Sequence, residues 1–178
     1  MNTARITRPA AASTVVGGLA FIVLGLMQAV RPQDTNPLVT GEEHIILALF
    51  ALGLILVIPL IWTLAAHSTR TATIGASLIT TGNALLAFGA TSSNLNGEDF
   101  PWFPAVALPA NLTLLAGSLT LAAALWRTKS LPRPHTAALP LTWLFTIPLS
   151  QLGGPLLTGL YYLLLLPHLT HPTSQPRA

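Results

Sequence analysis

Only 7% of the 178 residues are charged, against 52% hydrophobic; a soluble domain carries about 25% charged residues, so a water-solvated globular fold is excluded and lipid is the expected solvent. The net charge of +3 comes from eight Lys and Arg scattered at the ends of apolar runs, which is not the clustered footprint of a nucleic-acid binder. With no cysteine, disulfides, thiolate metal sites, iron–sulfur clusters and dithiol redox chemistry are excluded as well.

Crossing the hydrocarbon core takes about 20 apolar residues, and the first such stretch covers 12–30. Arg5 and Arg8 before it resemble the start of a signal peptide, but the run is longer than a usual signal core, and its Gly18 and Gly25, seven residues apart, suit helix packing. A second helix is expected over 44–66, bent at Pro59, which has no backbone N–H and crowds the preceding turn. The third, over 73–91, carries Ala76, Thr80 and Ala84 at four-residue spacing and Gly82 and Gly89 on one stripe. Small residues let neighbouring backbones approach, so this helix is expected to be the most enclosed. The fourth, over 104–126, repeats the device with Ala110, Gly117 and Ala124, and Pro109 lies inside it.

The last apolar stretch, 137–166, is roughly 45 Å long as a single helix, too long for one crossing without strong tilt. Gly153, Gly154 and Pro155 at its middle mark a break, so two short helices are expected, over 137–150 and 155–168. The chain is thus read as one domain, an all-α integral membrane protein built as an antiparallel bundle of six transmembrane helices, five being the alternative count.

Charge sets the orientation, because cytoplasmic loops are enriched in Lys and Arg. Arg5, Arg8, Arg70, Arg127, Lys129 and Arg133 fall on one side of this topology, and all five acids, Asp34, Glu42, Glu43, Glu98 and Asp99, on the other. The expected location is the cell membrane, with the N-terminus cytoplasmic and the acidic loops outside.

No Asp, Glu, Lys or Arg lies deep in a span, which argues against proton- or sodium-coupled transport, voltage sensing and intramembrane proteolysis. The uncharged polar residues in the spans are Gln28, Asn83, Asn111 and Gln151. Together with Glu42, Glu43 and His44 they form a candidate ligand pocket open to the outside. The competing account is interhelical hydrogen bonding, worth roughly 0.6–2 kcal/mol per contact. Thr40 and Glu43 have the spacing of a capping box. His44 beside Glu42 and Glu43 has acid–base potential, but neighbouring helical residues point in different directions and further metal ligands are missing.

The connection 92–103 holds Asn94, Asn96, Glu98 and Asp99 without the ligand spacing of a calcium loop, and its Phe100, Trp102 and Phe103 suit an interfacial belt. His67, His135, His168 and His171 lie at helix ends rather than at the depth of haem ligands. No metal and no cofactor is expected. The functional expectation is a non-enzymatic accessory subunit or a protein that binds a lipid or other hydrophobic ligand. Its partners would be the lipid bilayer and either a membrane protein partner or a homo-oligomer, with no nucleic acid. The alternatives are an intramembrane enzyme acting on a lipid or isoprenoid through Glu42, Glu43, His44, Glu98 or Asp99, and an oligomeric channel or carrier.

Overall fold

The computed structural model describes residues 6–31, 38–39, 41–66 and 68–170. Arg5, Asp34, Thr40, His67 and His171, which entered the charge, capping and haem arguments, lie outside these. The described residues form eight α-helices: α1 (Arg8–Val30), α2 (Glu42–Leu56), α3 (Ile58–Ala65), α4 (Arg70–Asn96), α5 (Phe103–Thr128), α6 (Arg133–Ala138), α7 (Leu141–Thr146) and α8 (Gly154–Thr170). A single 3-10 turn, Ser150–Leu152, precedes α8, and an isolated antiparallel bridge joins Leu38 to Glu98. Four helices are long and apolar enough to cross a membrane: α1, the near-continuous α2 and α3 read as Glu42–Ala65, α4 and α5.

Local chemistry explains where these elements begin and end. Pro9 sits in the first turn of α1, where no N–H is needed, and the Thr7 hydroxyl accepts from the Ala10 N–H at 3.4 Å. The expected bend of the second span is a break at Val57, two residues before Pro59. Carbonyls in a final helical turn lack partners within the helix. Flanking helices supply them here: the Ser13 hydroxyl of α1 donates to the Leu56 carbonyl at 2.7 Å, and the Asn83 amide of α4 donates to the Leu54 carbonyl at 3.1 Å. At the end of α4, Gly97 adopts φ 79°, and its N–H returns to the Ser93 carbonyl, the left-handed cap that glycine takes without a Cβ penalty.

The segment expected as one helix over 137–150 is divided. Pro140 and Pro148 each remove a donor, and the chain makes α6, α7 and the 3-10 turn in place of a continuous helix. The expected break at Gly153-Gly154-Pro155 is present: Gly153 has φ 80°, and α8 starts at Gly154 with Pro155 in its first turn. The 17 residues of α8 fall just short of the usual crossing length of about 20.

Small residues set the packing. On α4, a Cβ added to Gly75 would lie 2.6 Å from the Leu121 nitrogen of α5, and one added to Gly82 would lie 2.8 Å from the Ala110 carbonyl oxygen. From the other side, Gly117 of α5 faces the Ile79 backbone. These two helices therefore touch through their main chains. A second such pair joins the first and last helices: Gly18 packs on Leu163 and Gly159, and Gly25 on the Leu156 backbone. Between lipid-solvated helices there is no hydrophobic drive to associate, and close van der Waals approach takes its place.

Neighbours run in the order α8, α1, α2, α4, α5, with α7 touching both α5 and α8. Phe21, Leu24, Leu60, Leu121, Leu125 and Leu165 are fully buried among them. The Phe21 ring also meets the Tyr162 ring at 6.2 Å. The third span is the most enclosed of the four, as its small-residue pattern predicts, with 50% of its apolar stretch buried against 33–39% in the others.

Candidate functional site

The end of α1, the start of α2 and the end of α4 meet at the acidic end of the molecule. Arg31, just after α1, reaches the Glu43 carboxylate at 2.6 Å, and both side chains are partly buried. One residue on, His44 forms a two-point contact with Asn94 of α4. Asn94 donates through Nδ2 to the His44 carbonyl at 3.2 Å, and its Oδ1 lies 2.6 Å from His44 Nδ1. Because an amide oxygen can only accept, that contact places the proton of a neutral imidazole on Nδ1 and leaves Nε2 as an acceptor. The capping box is replaced: α2 starts with Gly41 as its N-cap, one residue later than a Thr40 cap requires, and the Glu43 carboxylate turns to Arg31.

Below the His44–Asn94 contact, α2 and α4 leave an open groove of about 600 Å³. Ala48, Ala51 and Ile55 of α2 and Ala84, Phe88 and Asn94 of α4 line it. The alanines create the space. Phe88 closes one side and continues into a ring stack, with Trp102 at 5.7 Å and Phe100 a further 5.4 Å from Trp102. Ala48 to Ile55 is about two turns, so the trough extends roughly 10 Å along α2. Its lining is apolar except near Thr91 and Asn94.

The seven residues proposed from sequence are distributed unevenly about this feature. Glu43 and His44 stand together near its polar end, and Glu42 is exposed beside them. Asn83 is 2% exposed and donates to the Leu54 carbonyl. Asn111 donates to the Ala107 carbonyl of its own helix at 2.8 Å and accepts from the Trp143 indole N–H at 3.2 Å. Gln28 is half-buried with its Oε1 enclosed and unpartnered. Gln151 is exposed in the 3-10 turn. Asn83 and Asn111 are thus engaged in bonds between or within helices. Sequence reasoning did not single out Ala48 and Ala51, place Ala84 in a groove, or assign Asn94 to His44. The available signal was the four-residue spacing of Ala76, Thr80 and Ala84, which continues to Phe88.

The opposite end is basic. Arg8, Arg70, Arg127, Lys129 and Arg133 are exposed there, while the described carboxylates, Glu42, Glu43, Glu98 and Asp99, all sit at the acidic end. His135 of α6 and His168 of α8 approach with ring centroids 4.5 Å apart. The His135 imidazole is held below its ordinary pKa by burial and then by the neighbouring His168. Among the described residues no three His, Asp or Glu side chains gather as a metal-sized group. Comparison with protein-family models, with curated proteins and with solved structures finds no match to this chain.

Proposed function

We propose that this chain is a non-enzymatic integral membrane protein that holds a lipidic ligand in the groove between α2 and α4. The observation carrying this reading is the groove itself, an apolar trough of about 600 Å³ ending near a paired His and Asn. That size falls within the usual range for ligand sites, about 300–1,000 Å³. The form suits an amphiphile with one apolar tail and a small polar head. The tail would lie on the alanines, and the head would meet Asn94 and the Nε2 acceptor of His44.

In this reading the acidic end faces outside and the N-terminus lies in the cytoplasm of a cell whose plasma membrane contains the protein, as the distribution of Lys and Arg favours. The bundle is antiparallel with six crossings. The contacts of Gly18 with Leu163 and of Gly25 with Leu156 support opposite directions for α1 and α8. The segment 137–150 would supply the fifth crossing, since His135 just before it touches His168 near one end of α8 while Gly153 packs on Ala29 at the end of α1.

The test is native mass spectrometry of the protein gently extracted from its own membrane, alongside an Ala51→Phe variant that fills the groove. The expected result is a defined small mass on the wild type that the variant lacks. Equal retention by both would overturn the groove as the site. A co-purifying protein lost with Ala51→Phe would make the groove a seat for a partner's helix and the chain an accessory subunit.

A further inference from the structure

The turn after α5 concentrates three cations on a fixed backbone. Lys129 closes the helix at φ 52°, a left-handed conformation uncommon for a residue with a side chain. Its N–H returns to the Trp126 carbonyl at 3.4 Å and the Ser130 N–H to the Leu125 carbonyl at 3.3 Å. These bonds occupy two of the last four carbonyls of α5 and so reduce the partial negative charge that an anion meets there. The Thr128 and Ser130 hydroxyls meet at 2.6 Å. Arg133 comes back over this turn and places its guanidinium 5.6 Å from the Trp126 ring centroid.

Arg133 itself begins α6, and α6 is anchored twice: the Tyr161 hydroxyl of α8 donates to the His135 carbonyl at 2.8 Å, and the His135 ring contacts His168. Arg127, Lys129 and Arg133 are all exposed, and no described carboxylate lies at this end of the molecule. Trp126, half exposed at 49%, is the kind of amphipathic ring that settles at headgroup depth.

We infer that the Trp126–Arg133 turn is a binding site for the phosphate headgroup of an anionic phospholipid in the adjacent leaflet. Two observations select that occupant. Arg127, Lys129 and Arg133 are exposed within seven residues of one turn, beside a half-exposed Trp126 of the kind that settles at headgroup depth. The turn is pre-ordered by its cap bonds and by the α6 anchors, so little ordering is left for binding to impose. The site is separate from the α2–α4 groove and needs only that the chain resides in a membrane.

The test compares wild type with Lys129→Gly/Arg133→Gln after reconstitution into nanodiscs of phosphatidylcholine with one quarter phosphatidylglycerol, counting lipids retained on the protein by native mass spectrometry. Glycine suits the left-handed position, so the first substitution removes charge without straining the turn, and a thermal melt on the same sample confirms folding. Wild type should retain phosphatidylglycerol in preference to phosphatidylcholine. At about fivefold per cation near the surface, the double variant should lose that preference by about 25-fold, whereas Glu98→Gln/Asp99→Asn at the far end should keep it. Equal retention of the two lipids by wild type, or an undiminished preference in the folded double variant, would overturn the assignment.

Discussion

The Asn83 side chain of α4 donates to the main-chain carbonyl of Leu54 across a distance of 3.1 Å, one turn from the point where the second span breaks. Ser13 does the same for Leu56 from the other flank, so the broken helix is completed by its neighbours. Replacing Asn83 with Leu keeps the side chain's heavy-atom count and branching and removes the donor. Interhelical bonds in membranes contribute about 0.6 kcal/mol on average and up to about 1.7 kcal/mol, and the Leu54 carbonyl has no water to turn to. The expected loss is about 1–2 kcal/mol in reversible unfolding in mixed micelles, with a further loss on adding Ser13→Ala. A double variant as stable as wild type would show that the break holds itself.

Close backbone contact makes a sharper test at the two glycine-mediated pairs. Gly25→Ala would push a methyl group into the Leu156 main chain, and Gly75→Ala would push one into the Leu121 main chain. Neither neighbour can rotate away, so each substitution should cost about 1–3 kcal/mol or more. Gly53→Ala meets only the outer atoms of the Phe21 ring at 3.0 Å and should cost less. Thermal inactivation of the three variants in one detergent should rank Gly53→Ala as the mildest.

The ion pair at the acidic end should matter little for stability. Arg31 and Glu43 are 23% and 18% exposed, and pairs that water still reaches contribute about 0.2–1 kcal/mol. Glu43→Gln should therefore shift the unfolding midpoint slightly, and less in high salt. A collapse of the fold on this substitution would mean that Glu43 is desolvated far more deeply than its exposure indicates.

The His135–His168 contact predicts a pH dependence with a definite sign. Burial, and then the neighbouring His168, hold the folded His135 below its ordinary value of 6.5, so on acidification the unfolded chain takes up this proton first. Stability from this group is present above about pH 6.5 and is lost as pH falls through the lower folded value. Unfolding midpoints measured from pH 7.5 to 5 should decline for wild type and decline less for His135→Asn. Parallel curves would remove His135 as the cause.

The groove makes a prediction independent of which lipid fills it. Asn94→Leu removes both contacts to His44 and leaves the alanine lining in place. A photoreactive fatty alcohol should label wild type on α2 or α4 peptides, and Asn94→Leu should lower the labelling severalfold while Leu112→Phe, on exposed apolar surface elsewhere, should leave it unchanged. Undiminished labelling of Asn94→Leu would show that the polar end does not select the ligand.

Much of this architecture can be read from local sequence because it is decided locally. The four long apolar stretches, the Pro59 bend, the Gly153 break and the enclosure of the third span depend on period, length and a few residues with restricted backbones. The partners of those stretches are not local. Gly18 and Gly25 announce a smooth face, but nothing near them in sequence says that Gly159 and Leu156 will cover it. In the same way His44 and Asn94, 50 residues apart, each look like ordinary interfacial residues until α2 and α4 are placed side by side. The apolar length of 137–150 masks the effect of its two prolines, and Ala48 and Ala51 give no signal of a groove because alanine is unremarkable in any helix.

The clasp between α1 and α8 also imposes an order in time. Gly18 leaves the ribosome roughly 140 residues before Gly159, a delay of about 7 to 28 s at about 5–20 residues per second. Throughout that interval the first helix is in place with its permanent neighbour still unmade. Its glycine face must remain uncommitted among lipids or be shielded by the insertion machinery until α8 has been made and can dock against it.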